Sequence, residues 1–113
     1  MRKLTTHVLD TMSGRPAAGM AVRLSETGVV LAAAVTNADG RCDEPLLAGE
    51  RMKAGVFRLE FEVGDYFRAL GLALPRPAFL ETVILDCGVS EPLGHYHVPL
   101  LVSPFAYSTY RGS

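Results

Sequence analysis

The strongest constraint on what this chain can fold into is the alternation between Val56 and Val63. Phe57, Leu59, Phe61 and Val63 fall on one side, and Arg58, Glu60 and Glu62 on the other. A period of two residues is that of a strand with one face buried and one face wet. The pattern recurs along the chain. In Leu4–Asp10, Leu4, Thr6 and Val8 oppose Thr5, His7 and Leu9. Met20–Leu24 and Val29–Thr36 are short apolar or β-branched runs joined through Ser25–Gly28, whose Thr27-Gly28 pair suits a hairpin turn. Further strands are expected at Glu81–Asp86, His95–Val102 and Phe105–Arg111. Turn residues punctuate them at Ser13-Gly14-Arg15-Pro16, Asn37-Ala38-Asp39-Gly40 and Pro75–Pro77. One segment breaks the rule. Asp65–Leu72 predicts a short helix with Asp65 as its cap, Tyr66, Phe67 and Leu70 on one face, and Gly71 at its end. The expectation is an all-β chain, an antiparallel sandwich or barrel with one short helix.

Composition bounds the class of function. At 113 residues, 49% hydrophobic and 20% charged, residues 1–113 fit one domain able to bury a core without disulfides or metals. Eleven Lys and Arg against twelve Asp and Glu give a net charge of −1 with no basic run, which argues against nucleic acid or an anionic membrane as the main partner. No apolar stretch approaches the roughly 18 residues of a membrane span. The opening MRKLTTHVLD lacks the apolar segment of a secretory signal, and the closing RGS is no peroxisomal address, so a cytoplasmic location is expected. Cys42 and Cys87 lie outside any CxxC motif and read as reduced, buried, inert thiols.

The chemistry-bearing residues are few. Two of the three histidines form His95-Tyr96-His97. On a strand, Tyr96, Val98, Leu100 and Val102 share the apolar face, which sends His95, His97, Pro99 and Leu101 away from the core. The same parity turns Leu4 and Val8 inward and His7 outward. Histidines beside Leu9, Pro99 and Leu101 make an unusual outer face, suited to a covering second subunit or the lining of a cleft; the bland alternative is that each is merely solvated. His7, His95 and His97 also form a plausible ligand set for a catalytic zinc. Arg41 follows the Asn37–Gly40 turn, where it is either solvated or presents its fork to a carboxylate, a urea-like carbonyl or an oxyanion. The Ser108–Ser113 end is an exposed edge or holds Tyr110, Arg111 and the terminal carboxylate in a site. The phosphate-cradling GxxxxGK[ST] and GxGxxG motifs and the GxSxG elbow are all missing from the sequence.

These same residues carry a resemblance that spans nearly the whole chain. Leu4-Thr5-Thr6-His7-Val8-Leu9-Asp10, Gly14-Arg15-Pro16-Ala17 and Thr36–Arg41 (TNADGR) resemble the opening blocks of the transthyretin-related proteins. His95–Ser113, HYHVPLLVSPFAYSTYRGS, resembles that family's closing signature, and DYFRALGLA its single short helix. The YRGS ending is that of the hydrolase branch rather than the hormone carriers. The resemblance implies a transthyretin-like, immunoglobulin-like β-sandwich of seven to eight strands. It also implies hydrolysis of 5-hydroxyisourate to 2-oxo-4-hydroxy-4-carboxy-5-ureidoimidazoline, a step of purine (urate) degradation. Homotetramers with sites in a channel at the dimer–dimer interface, and metal-free chemistry without a cofactor, follow from it too. Carried over position by position, His7, Arg41, His97 and Ser113 are the expected catalytic residues. His7, Arg41, Tyr110, Arg111 and Gly112 are the expected substrate-binding ones, and His95 is structural or supporting. The chain departs from its relatives at Ala78-Phe79-Leu80-Glu81, where an FFPE-like run is common. The alternative on the same fold is a small-molecule binding protein without turnover.

Overall fold

The computed structural model describes residues 2–112. Among these residues nine strands form two sheets: β1 (Lys3–Asp10), β2 (Arg15–Pro16), β3 (Ala21–Glu26), β4 (Val29–Val35), β5 (Leu47–Ala48), β6 (Gly55–Glu62), β7 (Thr82–Val89), β8 (His95–Val102) and β9 (Tyr107–Thr109). The first sheet runs β2-β1-β8-β9, with β5 also pairing to β1; the second runs β4-β3-β6-β7. The two-residue strands β2 and β5 were not expected, because a segment that short shows no alternation. Every pairing is antiparallel except the central one of the first sheet, where β1 and β8 run parallel. This corrects the wholly antiparallel expectation. Alternation fixes which side chains share a face but is indifferent to strand direction, and the chain crosses the entire second sheet between β1 and β8.

The faces fall where the alternation sets them. Leu4, Val8, Leu100 and Val102 from the first sheet meet Phe57, Leu59 and Phe61 from the second, all within 1% of complete burial. Complete burial of each such side chain is worth about 1.5–3 kcal/mol. A one-residue slip of β6 would turn Phe57, Leu59 and Phe61 into water and Arg58 and Glu60 inward.

The helix α1 (Val63–Ala69) begins directly off β6, with Glu62 at its N-cap position. Asp65 therefore lies in the first turn rather than capping it. Tyr66 and Phe67 are buried as expected, whereas Leu70 falls just past the last turn and is exposed. Gly71, at φ +93°, ends the helix. Tyr66 donates its hydroxyl to buried Asp10 at 2.9 Å, and Asp10 also accepts from the backbone of Met12 and Ser13 at 2.9 and 3.1 Å. Burial and the neighbouring carboxylate push the Tyr66 hydroxyl up to about 12. Cys42 and Cys87 are free thiols, half-buried rather than fully buried, and desolvation raises both above the usual thiol value.

Candidate functional site

The outward side chains of β1 and β8 meet on the free face of the first sheet. Parallel register sets Lys3 beside His95, Thr5 beside His97 and His7 beside Pro99. The His7 and His97 rings lie 6.4 Å apart between centroids, and those of His95 and His97 5.8 Å apart. The hydroxyl of Thr5 stands 2.7 Å from His95 Nε2 and 2.8 Å from His97 Nδ1. Pro99 also faces outward but is buried, flanked by His7 and by Thr109, whose hydroxyl donates to its carbonyl at 2.7 Å.

Arg41 reaches this face through a built turn. Asn37 Oδ1 accepts from the backbone of Asp39 and Arg41 at 2.9 and 3.2 Å, the Asx geometry to which asparagine is suited. The amide of Asn37 itself donates to the Arg41 carbonyl at 2.7 Å, and that of Gly40 to the Asn37 carbonyl at 2.9 Å. Val8 in β1 then donates to the Gly40 carbonyl at 2.8 Å, and Arg41 bridges to His7. Gly40 has φ +74°, and a Cβ there would stand 2.4 Å from the Val8 carbonyl oxygen. Only glycine lets the turn approach β1 this closely.

The C-terminal segment closes the other side. Gly112 bridges to His97, donating its amide to the His97 carbonyl at 2.8 Å. It lies so near the imidazole that a Cβ would be 2.7 Å from His97 Cδ2. The Arg111 guanidinium sits 4.0 Å over the ring of Tyr96, whose hydroxyl in turn accepts from the Glu91 amide at 3.1 Å. That cation–π contact ties down the terminal segment. Tyr110 is exposed. His7, Arg41, His97 and Gly112 are thus brought together, Arg111 spends its guanidinium on Tyr96, and Ser113 lies outside the described residues. Thr5 was missed. Thr5 shares the outward parity of His7, but nothing local reveals that it falls between two histidines.

Desolvation and nearby positive charge lower all three imidazoles below the ordinary histidine value. Desolvation and the positive charge of Arg41 lower His97, and His95 and His7 add to the effect. Desolvation and Arg41 likewise lower His7, opposed by the backbone carbonyl and carboxylate of Asp39. His95 is lowered by desolvation and Lys3. A hollow of about 140 Å³ adjoins the face, lined by Thr5, Thr6, Arg41, Cys42, Glu44 and His95 together with Lys3. A larger depression on the outer face of the second sheet offers no comparable chemistry, since its Arg58 is paired with Asp86 at 2.9 Å. Among the described residues, no group of three or more His, Cys, Asp or Glu side chains is placed to hold a metal ion. The arrangement can take a proton from water, return one to a leaving group and stabilise a developing negative charge.

The family model described as HIUase/Transthyretin family matches residues 4–112. A 5-hydroxyisourate hydrolase of Ralstonia nicotianae is 54% identical over the full length of both chains. The structure of Klebsiella pneumoniae 5-hydroxyisourate hydrolase superposes with a TM-score of 0.86 at 38% identity, covering all of both chains. Sea bream transthyretin in complex with thyroxine gives a TM-score of 0.85 at 31% identity, over 97% of this chain and 94% of that one. With the family's fold and sequence matched from end to end, the chain belongs to the HIUase/transthyretin family.

Proposed function

We infer that this chain hydrolyses 5-hydroxyisourate in purine degradation, opening the six-membered ring to 2-oxo-4-hydroxy-4-carboxy-5-ureidoimidazoline. The observation that carries the reading is the placement of two lowered histidines and Arg41 on one outward face, in a chain whose full-length relatives are 5-hydroxyisourate hydrolases.

Water is a poor nucleophile at neutral pH, and a neutral imidazole is the natural base to activate it. In this reading, one of His7 and His97 accepts the proton as water adds to the ring amide carbonyl. The tetrahedral oxyanion forms beside Arg41, whose charge stabilises it. Collapse breaks the carbon–nitrogen bond, the leaving nitrogen takes a proton from the imidazole pair, and a carboxylate remains. Tyr110, Arg111 and Gly112 shape the substrate's surroundings, with Arg111 acting through the clasp on Tyr96, and Ser113 completes the set at the terminus. No cofactor or metal enters the scheme. The apolar flanks of the histidine face, Leu9 and Leu101, support a homotetramer in which subunits close the site at a dimer–dimer interface. Residues 1–113 act as one domain, and the proposed setting is the cytoplasm; no helix among the described residues is long and apolar enough to cross a membrane.

The experiment is the decay of 5-hydroxyisourate, generated in place from urate by urate oxidase and followed by ultraviolet absorbance. Because the compound decays unaided, the reference is buffer alone. Acceleration proportional to protein concentration is the expected result. Binding without acceleration would favour a carrier, the reading that the likeness to thyroxine-bound transthyretin supports.

A further inference from the structure

The hydroxyl of Thr5 lies within hydrogen-bonding distance of two ring nitrogens at once, His95 Nε2 and His97 Nδ1. A hydroxyl has a single proton to donate and lone pairs with which to accept. With one proton it cannot donate to both rings; when it donates to one and accepts from the other, the two facing nitrogens carry opposite protonation. When Thr5 donates to His97 Nδ1, His97 holds its proton on Nε2 and is an acid there. When Thr5 accepts from His97 Nδ1, Nε2 is bare and is a base.

We propose that Thr5 is a positioning residue that joins His97 and His95 into a three-membered proton relay, setting the tautomer of His97 and carrying its proton out to His95. The inference rests on the reading of His97 as an acid–base group. In the relay, His97 Nε2 takes a proton from the attacking water. The Nδ1 proton of His97 passes to Thr5 Oγ1 as the hydroxyl proton of Thr5 passes to His95 Nε2. Only N–H and O–H bonds change, Thr5 ends as a hydroxyl, and the positive charge moves from His97 to His95. The direction has a physical reason. His97 is half-buried and faces the charge of Arg41 and the ring of His7, whereas His95 is exposed, so water solvates the charge and can remove the proton. Lys3 faces His95 and favours that release, Glu44 lines the hollow beside it, and Asp39 faces His7 rather than His97.

Two measurements test this. The first is nitrogen-15 NMR of the histidine rings in the intact wild-type protein at slightly alkaline pH, which needs no turnover. One of His95 Nε2 and His97 Nδ1 should be protonated and the other bare; finding both protonated or both bare overturns the relay. The second is kinetic. Thr5→Val keeps the branched shape without the hydroxyl, and should lower kcat by about tenfold or more, a share of the roughly 10²–10⁴-fold that acid–base catalysis contributes. KM should stay nearly unchanged, and the acid limb of the pH profile should move. Thr5→Ser should recover most of the rate. A wild-type kcat and pH profile in Thr5→Val, or a Thr5→Ser variant as slow as Thr5→Val, contradicts the proposal. A wild-type protein that fails to accelerate decay counts against the hydrolase reading instead, and the ring protonation still decides the relay's hydrogen bonding.

Discussion

Replacing Gly40 with alanine separates two effects that the turn before Arg41 combines. The first is conformational: at φ +74° an L-residue costs roughly 1–2 kcal/mol that glycine does not. The second is steric. The new Cβ would stand 2.4 Å from the Val8 carbonyl oxygen, 3.1 Å from Pro16 Cβ and 3.2 Å from the Ala17 amide nitrogen. Backbone on both sides leaves no flexible side chain to yield, so the turn must recede from β1. Receding stretches the hydrogen bond from the Val8 amide to the Gly40 carbonyl, worth about 1 kcal/mol. The total is about 2–3 kcal/mol, which for a domain of this size lowers Tm by roughly 8–15 °C. Gly14→Ala is the matched control, since Gly14 has φ +75° with no atom near its missing Cβ, and should show the conformational part alone. Thermal unfolding followed by circular dichroism gives the two losses. Initial rates, measured well below either Tm, then report the site: Gly40→Ala should lose about tenfold or more in kcat/KM because Arg41 and His7 move with the turn, as sub-ångström misplacement does at catalytic groups. Gly14→Ala should keep its rate. Equal Tm losses for the two variants, with wild-type turnover in Gly40→Ala, would show that the close approach of the turn to β1 neither adds strain nor positions Arg41 and His7.

Three further outcomes follow from the same geometry. Gly112→Ala forces a methyl against the His97 ring and should lower kcat by about tenfold or more with little loss of Tm, because the segment is terminal; unchanged steady-state kinetics would remove Gly112 from the support of His97. With His7 and His97 both held below the ordinary 6.5, kcat/KM should be flat through neutrality and fall only below that value. The sign for stability is the same: the native state binds fewer protons than the unfolded chain, so stability present above pH 6.5 is lost as pH falls through the lowered values, and urea midpoints that rise on acidification would contradict it. Tyr66→Phe removes one of the three donors to buried Asp10 and should cost about 1–2 kcal/mol in urea unfolding while sparing turnover below the transition; an unshifted midpoint would show that the bond contributes nothing.

Much of this architecture was legible in the chain because one physical rule, the two-residue period, governs most of it. Phe57, Leu59 and Phe61 point inward, as do Leu4, Thr6 and Val8 on β1 and Tyr96, Val98, Leu100 and Val102 on β8, and that parity turns His7, His95 and His97 to the opposite side. The turn ahead of Arg41 was legible from Asn37 and Gly40, whose chemistry is local. What stayed hidden depends on register and direction. Parallel pairing of β1 with β8 is what places Thr5 between His95 and His97, and no pattern within either strand encodes it. Arg111 on Tyr96 is likewise a contact between segments, and Leu70 escaped the helix face because α1 starts two residues before Asp65, directly off β6. The roles proposed for these residues come from motif resemblance rather than periodicity, since a strand needs no particular side chain on its wet face.

In the proposed mechanism His7 and His97 act as one acid–base unit on that face. Its most direct test is the kcat for 5-hydroxyisourate of His7→Ala, His97→Ala and the double variant, each checked for native circular dichroism. Each single variant should fall by about 10²–10⁴-fold, and the double should fall far less than the product of the two, because members of one unit are not additive. Full activity in both single variants would contradict it.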